Sequence, residues 1–139
     1  MTIPAYDDTR TLPLLTDIDV HQRVAQLIGV AVRRQLWILF LDTSRVQLPM
    51  IVAIDDHPPR PDGSVADLAA RVEQTMIDHD AESVIVVIER FASADLTPAD
   101  LAWAAAIHDE FDAQGITLRG ILLSHRRGVR AITQDDYRY

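Results

Sequence analysis

Of the 139 residues in this chain, none is cysteine, none is lysine and none is asparagine. Without cysteine there is no disulfide, no thiolate nucleophile and no cysteine-ligated zinc. Without lysine there is no Schiff-base or pyridoxal chemistry and no P-loop lysine. Every fixed side-chain cation is therefore an arginine. The sequence also lacks G-x-G-x-x-G, G-x-S-x-G and H-E-x-x-H, so no dinucleotide, hydrolase-elbow or zinc-protease signature is present and no cofactor is expected. No apolar run exceeds strand length, and Met1 to Pro13 has no apolar stretch of the secretory kind. These absences predict a cytoplasmic chain with no membrane association.

What is present is a strongly apolar, acidic sequence. Apolar residues make up 48%, enough for one sizeable core, and the length fits a single domain. Thirteen arginines face 21 carboxylates, a net charge of −8, which disfavours nucleic acid as a non-specific partner. The expected partners are another protein or a second copy of the chain.

Residues 1–13 read as a flexible arm, 14–134 as one α/β domain and 135–139 as a polar tail. Thr16 or Asp17 starts a helix whose apolar stripe is Val20, Val24, Leu27, Ile28 and Ala31, with Arg23, Arg33 and Arg34 on other faces and an end near Gln35. Leu36 to Leu41 is a strand, Asp42-Thr43-Ser44 a turn, and Arg45 to about Ile54 its hairpin partner. Prolines at 58, 59 and 61 enforce a loop. Ser64, with Asp67 three residues on, caps a second helix with the stripe Val65, Leu68, Ala69, Val72 and Met76. Ser83 to Glu89 is solidly apolar and β-branched until its last residue, which predicts a central strand covered on both faces. Thr97-Pro98-Ala99-Asp100 opens a third helix, with Trp103, Ala104, Ile107 and Phe111 inward, and Gly115 closes it. Ile116 to Ser124 and Val129 to Thr133 complete the order α-β-β-α-β-α-β-β, a mixed sheet packed by helices.

That order, together with Leu39-Phe40-Leu41-Asp42-Thr43-Ser44-Arg45-Val46 on the hairpin, Thr97-Pro98-Ala99-Asp100 at a helix start and Gly115-Ile116-Thr117-Leu118 after it, resembles the RadC-like branch of the JAB/MPN domain superfamily. The similarity spans about Gln35 to Thr133. The enzymatic members bind zinc through two histidines and an aspartate and activate water with a glutamate. The resemblance implies that Val87 and Glu89 stand at the histidine positions beside Asp100, the one ligand position retained. No glutamate precedes Glu73, so the water-activating position is empty as well. A catalytic zinc needs about three protein ligands, so the resemblance implies a degenerate domain without metal and without catalytic residues. The cytidine-deaminase fold is related in outline, but its paired cysteines are missing.

Other clusters invite chemistry. Glu89 and Asp100, with Asp95 and Thr97, could form a vestigial or acidic strand-end site for a carboxylate-dependent hydrolase, although the helix cap already accounts for Asp100 and Glu89 could pair with an arginine. Asp55, Asp56, His57 and Asp62 form an oxygen-rich loop of the kind that binds hard cations such as magnesium; an ordinary acidic loop held by prolines is the plainer reading. His108, Asp109 and Asp112 share the third helix, where a solvated face is the plainer reading. His21 and His79 look solitary. Arg119, His125, Arg126, Arg127 and Arg130 are the one basic group, suited to an anion or an acidic partner surface. A charged edge hairpin is the competing reading, and no aromatic is interleaved to stack on bases.

Overall fold

The computed structural model of the chain describes residues 12–137. Most of the arm expected over residues 1–13 therefore lies outside the described residues. The elements are α1 (Asp17–Leu27), β1 (Gln35–Leu41), β2 (Gln47–Asp55), α2 (Ser64–His79), β3 (Ser83–Glu89), α3 (Pro98–Ala113), β4 (Thr117–His125), β5 (Gly128–Ile132) and the short α4 (Gln134–Tyr137). They make one α/β domain around a five-stranded mixed sheet of order β2-β1-β3-β4-β5. The β3–β4 pair is parallel and the other three pairs are antiparallel.

β3 is buried along its whole length, as its unbroken apolar run predicts. Alternation sends Val84, Val86 and Ile88 to one face, where α2 and α3 cover them with Val72, Trp103, Ile107 and Phe111. Ile85 and Val87 point to the other face, with Leu39, Leu41 and Leu122, beneath Val20 and Val24 of α1. The sheet thus has two helices on one side and one on the other. The hairpin turn is held by Asp42, whose Oδ1 accepts from the Ser44 and Val46 amides at 2.8 and 3.0 Å while Arg45 takes a φ of 64°. No described helix is long and apolar enough to cross a membrane.

Three local expectations change. α1 stops at Leu27, well short of Gln35. Gly29 takes a φ of 67°, and a Cβ there would lie 3.1 Å from the Ala25 carbonyl oxygen, so the glycine terminates the helix despite the apolar residues beyond it. Arg23 is buried, not solvated, and its Nη1 donates to Gln47 Oε1 at 2.7 Å. The first turn of α2 is satisfied by Asp62, whose Oδ1 accepts from the Ser64 amide at 2.9 Å, so the expected Ser64–Asp67 box is not formed. The capping box of α3 is formed as expected, with Thr97 Oγ1 accepting from the Asp100 amide at 3.1 Å. Of the expected tail, residues 135–137 are described: they belong to the short α4, and Tyr137 is partly buried against the core with its hydroxyl 3.2 Å from His108 Nδ1.

Candidate functional site

Glu89 and Asp100, the carboxylates expected to share a strand-end site, are both buried but serve different faces of the sheet. Glu89 follows Val87 on the α1 side. Its Oε2 accepts from the Val32 and Arg33 amides at 2.8 and 3.3 Å, and its Oε1 accepts from Trp37 Nε1 at 2.9 Å. The early end of α1 frees residues 28–34 to supply those amides. Among the described residues no arginine side chain engages Glu89; backbone and indole donors satisfy it.

Asp100 belongs to the α2/α3 side and is held by Arg90, the residue after Glu89. Arg90 Nε donates to both carboxylate oxygens at 2.8 and 3.0 Å, and Nη2 donates to Oδ2 at 2.6 Å. The Thr97 amide adds a further bond to Oδ2 at 2.8 Å. Burial alone would push the Asp100 carboxyl up, but the Arg90 guanidinium and the Thr97 donors outweigh it and hold it below the usual carboxylate range. One further N–H on each of Nη1 and Nη2 donates to the Ser93 and Asp95 carbonyls respectively, both at 2.8 Å. Asp95 joins this site only through that carbonyl; its side chain is exposed.

The expected cation loop does not converge. Asp55 pairs with Gln35 Nε2, Asp62 caps α2, and Asp56 is exposed at a φ of 52°. His57 turns inward, 4% exposed, with its ring centroid 5.0 Å from that of Trp103 in an edge-to-face contact. Burial, and then the charge of Arg34, lower its pKa to about 4, so the imidazole is neutral at pH 7. Among the described residues no group of three or more histidines, aspartates or glutamates could hold a metal ion, the His108–Asp109–Asp112 face included. His21 is not solitary: its Nε2 lies 2.9 Å from the Val129 carbonyl oxygen.

The basic group is divided. Arg119 stands near the start of β4 and pairs with Asp17 at 2.9 Å, about 20 Å of strand away from Arg126. Arg130 donates to the Ala94 carbonyl at 3.2 Å and approaches Asp136. His125 is buried, and burial, then the charges of Arg90 and Arg130, lower its pKa. Arg126 and Arg127 are exposed, and other residues join them. The Arg126 amide donates to the Ala92 carbonyl, the Ala31 amide to the His125 carbonyl, and Ser124 Oγ to the Gly29 carbonyl, at 2.9, 2.9 and 2.6 Å. Three loops thereby meet at one end of the sheet, bringing exposed Val30, Val32 and Phe91 to the same end as Arg33, Arg126 and Arg127. Those three guanidinium groups have no side-chain hydrogen bond or ion pair among the described residues. Phe91 is the aromatic absent from the linear reading; it comes from the segment after β3, more than thirty positions before Arg126.

No family model and no curated protein matches the chain.

Proposed function

We propose that this chain is a non-catalytic, partner-binding domain of JAB-like fold, related to the RadC-like branch, in which the Arg90 guanidinium stands where enzymatic members hold zinc. The carrying observation is the Arg90–Asp100 pair: the one acidic ligand position retained is filled by a fixed cation from the same chain. The element order and the Asp42 hairpin turn support the scaffold reading. A pair of positions facing Asp100 would be Ile88 and Arg90, because Val87 and Glu89 face α1.

These residues do not fit a zinc ion. Ile88 is apolar, Arg90 is a cation, and both Asp100 oxygens already accept charge-assisted bonds. A carboxylate hydrolase at Glu89 and Asp100 would need two groups that converge, and these point to opposite faces of the sheet. The partner surface is the strand end carrying Val30, Val32 and Phe91 with Arg33, Arg126 and Arg127. In a chain of net charge −8, an apolar patch with unpaired guanidinium groups beside it fits an acidic protein segment bearing apolar side chains.

The test is metal content after incubation with excess zinc and desalting. Substoichiometric zinc, below about a tenth of an ion per chain, is expected, and about one per chain would overturn the proposal.

A further inference from the structure

The second feature is the cleft on which His57 opens. β2 ends at Asp55, Asp56 turns the chain at its positive φ, and His57 enters the interior. The loop is clamped by bonds that leave the ring uninvolved. Arg34 Nε donates to the His57 carbonyl at 2.8 Å, and Arg34 Nη2 and Trp103 Nε1 donate to the Pro58 carbonyl at 2.9 and 2.8 Å. Among the described residues the imidazole has no hydrogen-bond partner, and its Nδ1 is buried. A phenylalanine would pack against Trp103 without leaving a polar atom unsatisfied, an omission that costs about 1–3 kcal/mol. Packing therefore does not account for a histidine here.

His57 lines a cleft of about 300 Å³ between the β1–β2 end of the sheet and α2. That is the size of a small-molecule site. Its walls are apolar, from Leu36, Ile54, Val65 and Leu68, with Trp103 beside the histidine. Asp55, Asp56 and Asp67 line it with one cation, Arg71, and a second, Arg34, lies behind the loop at the His57 and Pro58 carbonyls. Asp55 is engaged by Gln35, whereas Asp67 has no hydrogen bond or ion pair among the described residues. The α2 amides at this end already bond to Asp62, so they offer little to an anion.

We propose that this cleft binds a small planar organic cation, an amidinium or a protonated nitrogen heterocycle. Its ring lies against Leu68 and Trp103, its N–H group bonds to His57 through Nε2, the ring nitrogen that is not sealed in the interior, and its charge is met by Asp56 and Asp67. The reading is independent of whether Asp100 holds a metal.

The test is a titration of the full chain, followed by ¹H–¹⁵N NMR, with benzamidine, benzamide and benzoate as probes. Saturable shifts are expected at the Trp103 indole N–H and the Val65 and Leu68 amides, with benzamidine at least about tenfold tighter than benzoate. H57F should weaken benzamidine about tenfold. D67N, at an exposed position that leaves the fold intact, should narrow the benzamidine-to-benzoate ratio. No saturable shift at these residues up to about 10 mM, benzoate binding as tightly as benzamidine, or D67N leaving the ratio unchanged overturns the proposal.

Discussion

The guanidinium of Arg90 and the carboxylate of Asp100 form a buried pair closed by three hydrogen bonds of 2.6–3.0 Å, linking the end of the central strand to the first turn of α3. Arg90→Ala leaves the Asp100 charge buried and strips donors from the Ser93 and Asp95 carbonyls. Removing one member of a buried pair costs about 3–5 kcal/mol. Urea unfolding should show a loss of that order, and the R90A/D100A double variant should lose less than the sum of the two single variants.

Acid should destabilise the domain in two windows. Free histidine takes up a proton near 6.5 in the unfolded chain, but His57 in the folded chain only near 4. Between those values the unfolded state binds more protons, so stability falls as the pH drops and levels off below about 4, a loss on the order of 3 kcal/mol. Asp100, with its pKa lowered, contributes stability above the ordinary carboxyl range that is lost at still lower pH, as the folded group protonates. Thermal melts from pH 7 to pH 2 should show a smaller first window in H57F, with His125 keeping part of it, and a smaller second window in D100N.

Glu89→Gln puts an amide N–H₂ group where the carboxylate accepts from Val32, Arg33 and Trp37. At least one donor would face a donor, at a cost of about 1–3 kcal/mol. Hydrogen exchange should quicken at the Val32 amide and the Trp37 indole more than in β4.

Gly29→Ala places a β-carbon on a residue with φ of 67° and 3.1 Å from the Ala25 carbonyl. A destabilisation of about 1 kcal/mol is expected by chemical denaturation, with faster exchange through residues 28–34.

Substituting Arg126→Glu, Arg127→Glu and Phe91→Ser together should change stability by no more than about 0.5 kcal/mol, since these side chains are exposed. The same variant should lose binding of a labelled peptide of alternating glutamate and leucine, measured by fluorescence anisotropy against the parent chain. Equal binding by the variant would show that this end of the sheet is not the partner surface.

The elements whose signals are local could be read from the sequence. The apolar run Val84 to Ile88 reads as a central strand because both of its faces are covered, and Thr97-Pro98-Asp100 reads as a helix start because the cap is formed within four residues. The end of α1 was hidden because Val30, Ala31 and Val32 continue its apolar character past Gly29. The cap of α2 was hidden because Asp62 lies two residues ahead of the helix among prolines and glycine. The strand-end site depended on parity: Glu89 and Arg90 are adjacent in sequence yet serve opposite faces, and only the pleat decides which one meets Asp100. Phe91 carries no local signal in the sequence, and its place at the same end as Arg126 follows from long-range pairing.

β3 has a further role as the seam of the chain's assembly. To one side of it lies the β1–β2 hairpin and to the other the β4–β5 hairpin, each closed by a short local turn. Both can form early with little loop-closure entropy, whereas the β1–β3 and β3–β4 pairings close long connections through α2 and α3. Docking of this one strand is therefore expected to be the slow, cooperative step of folding, and on unfolding the β1–β3 and β3–β4 pairings should part before either hairpin opens.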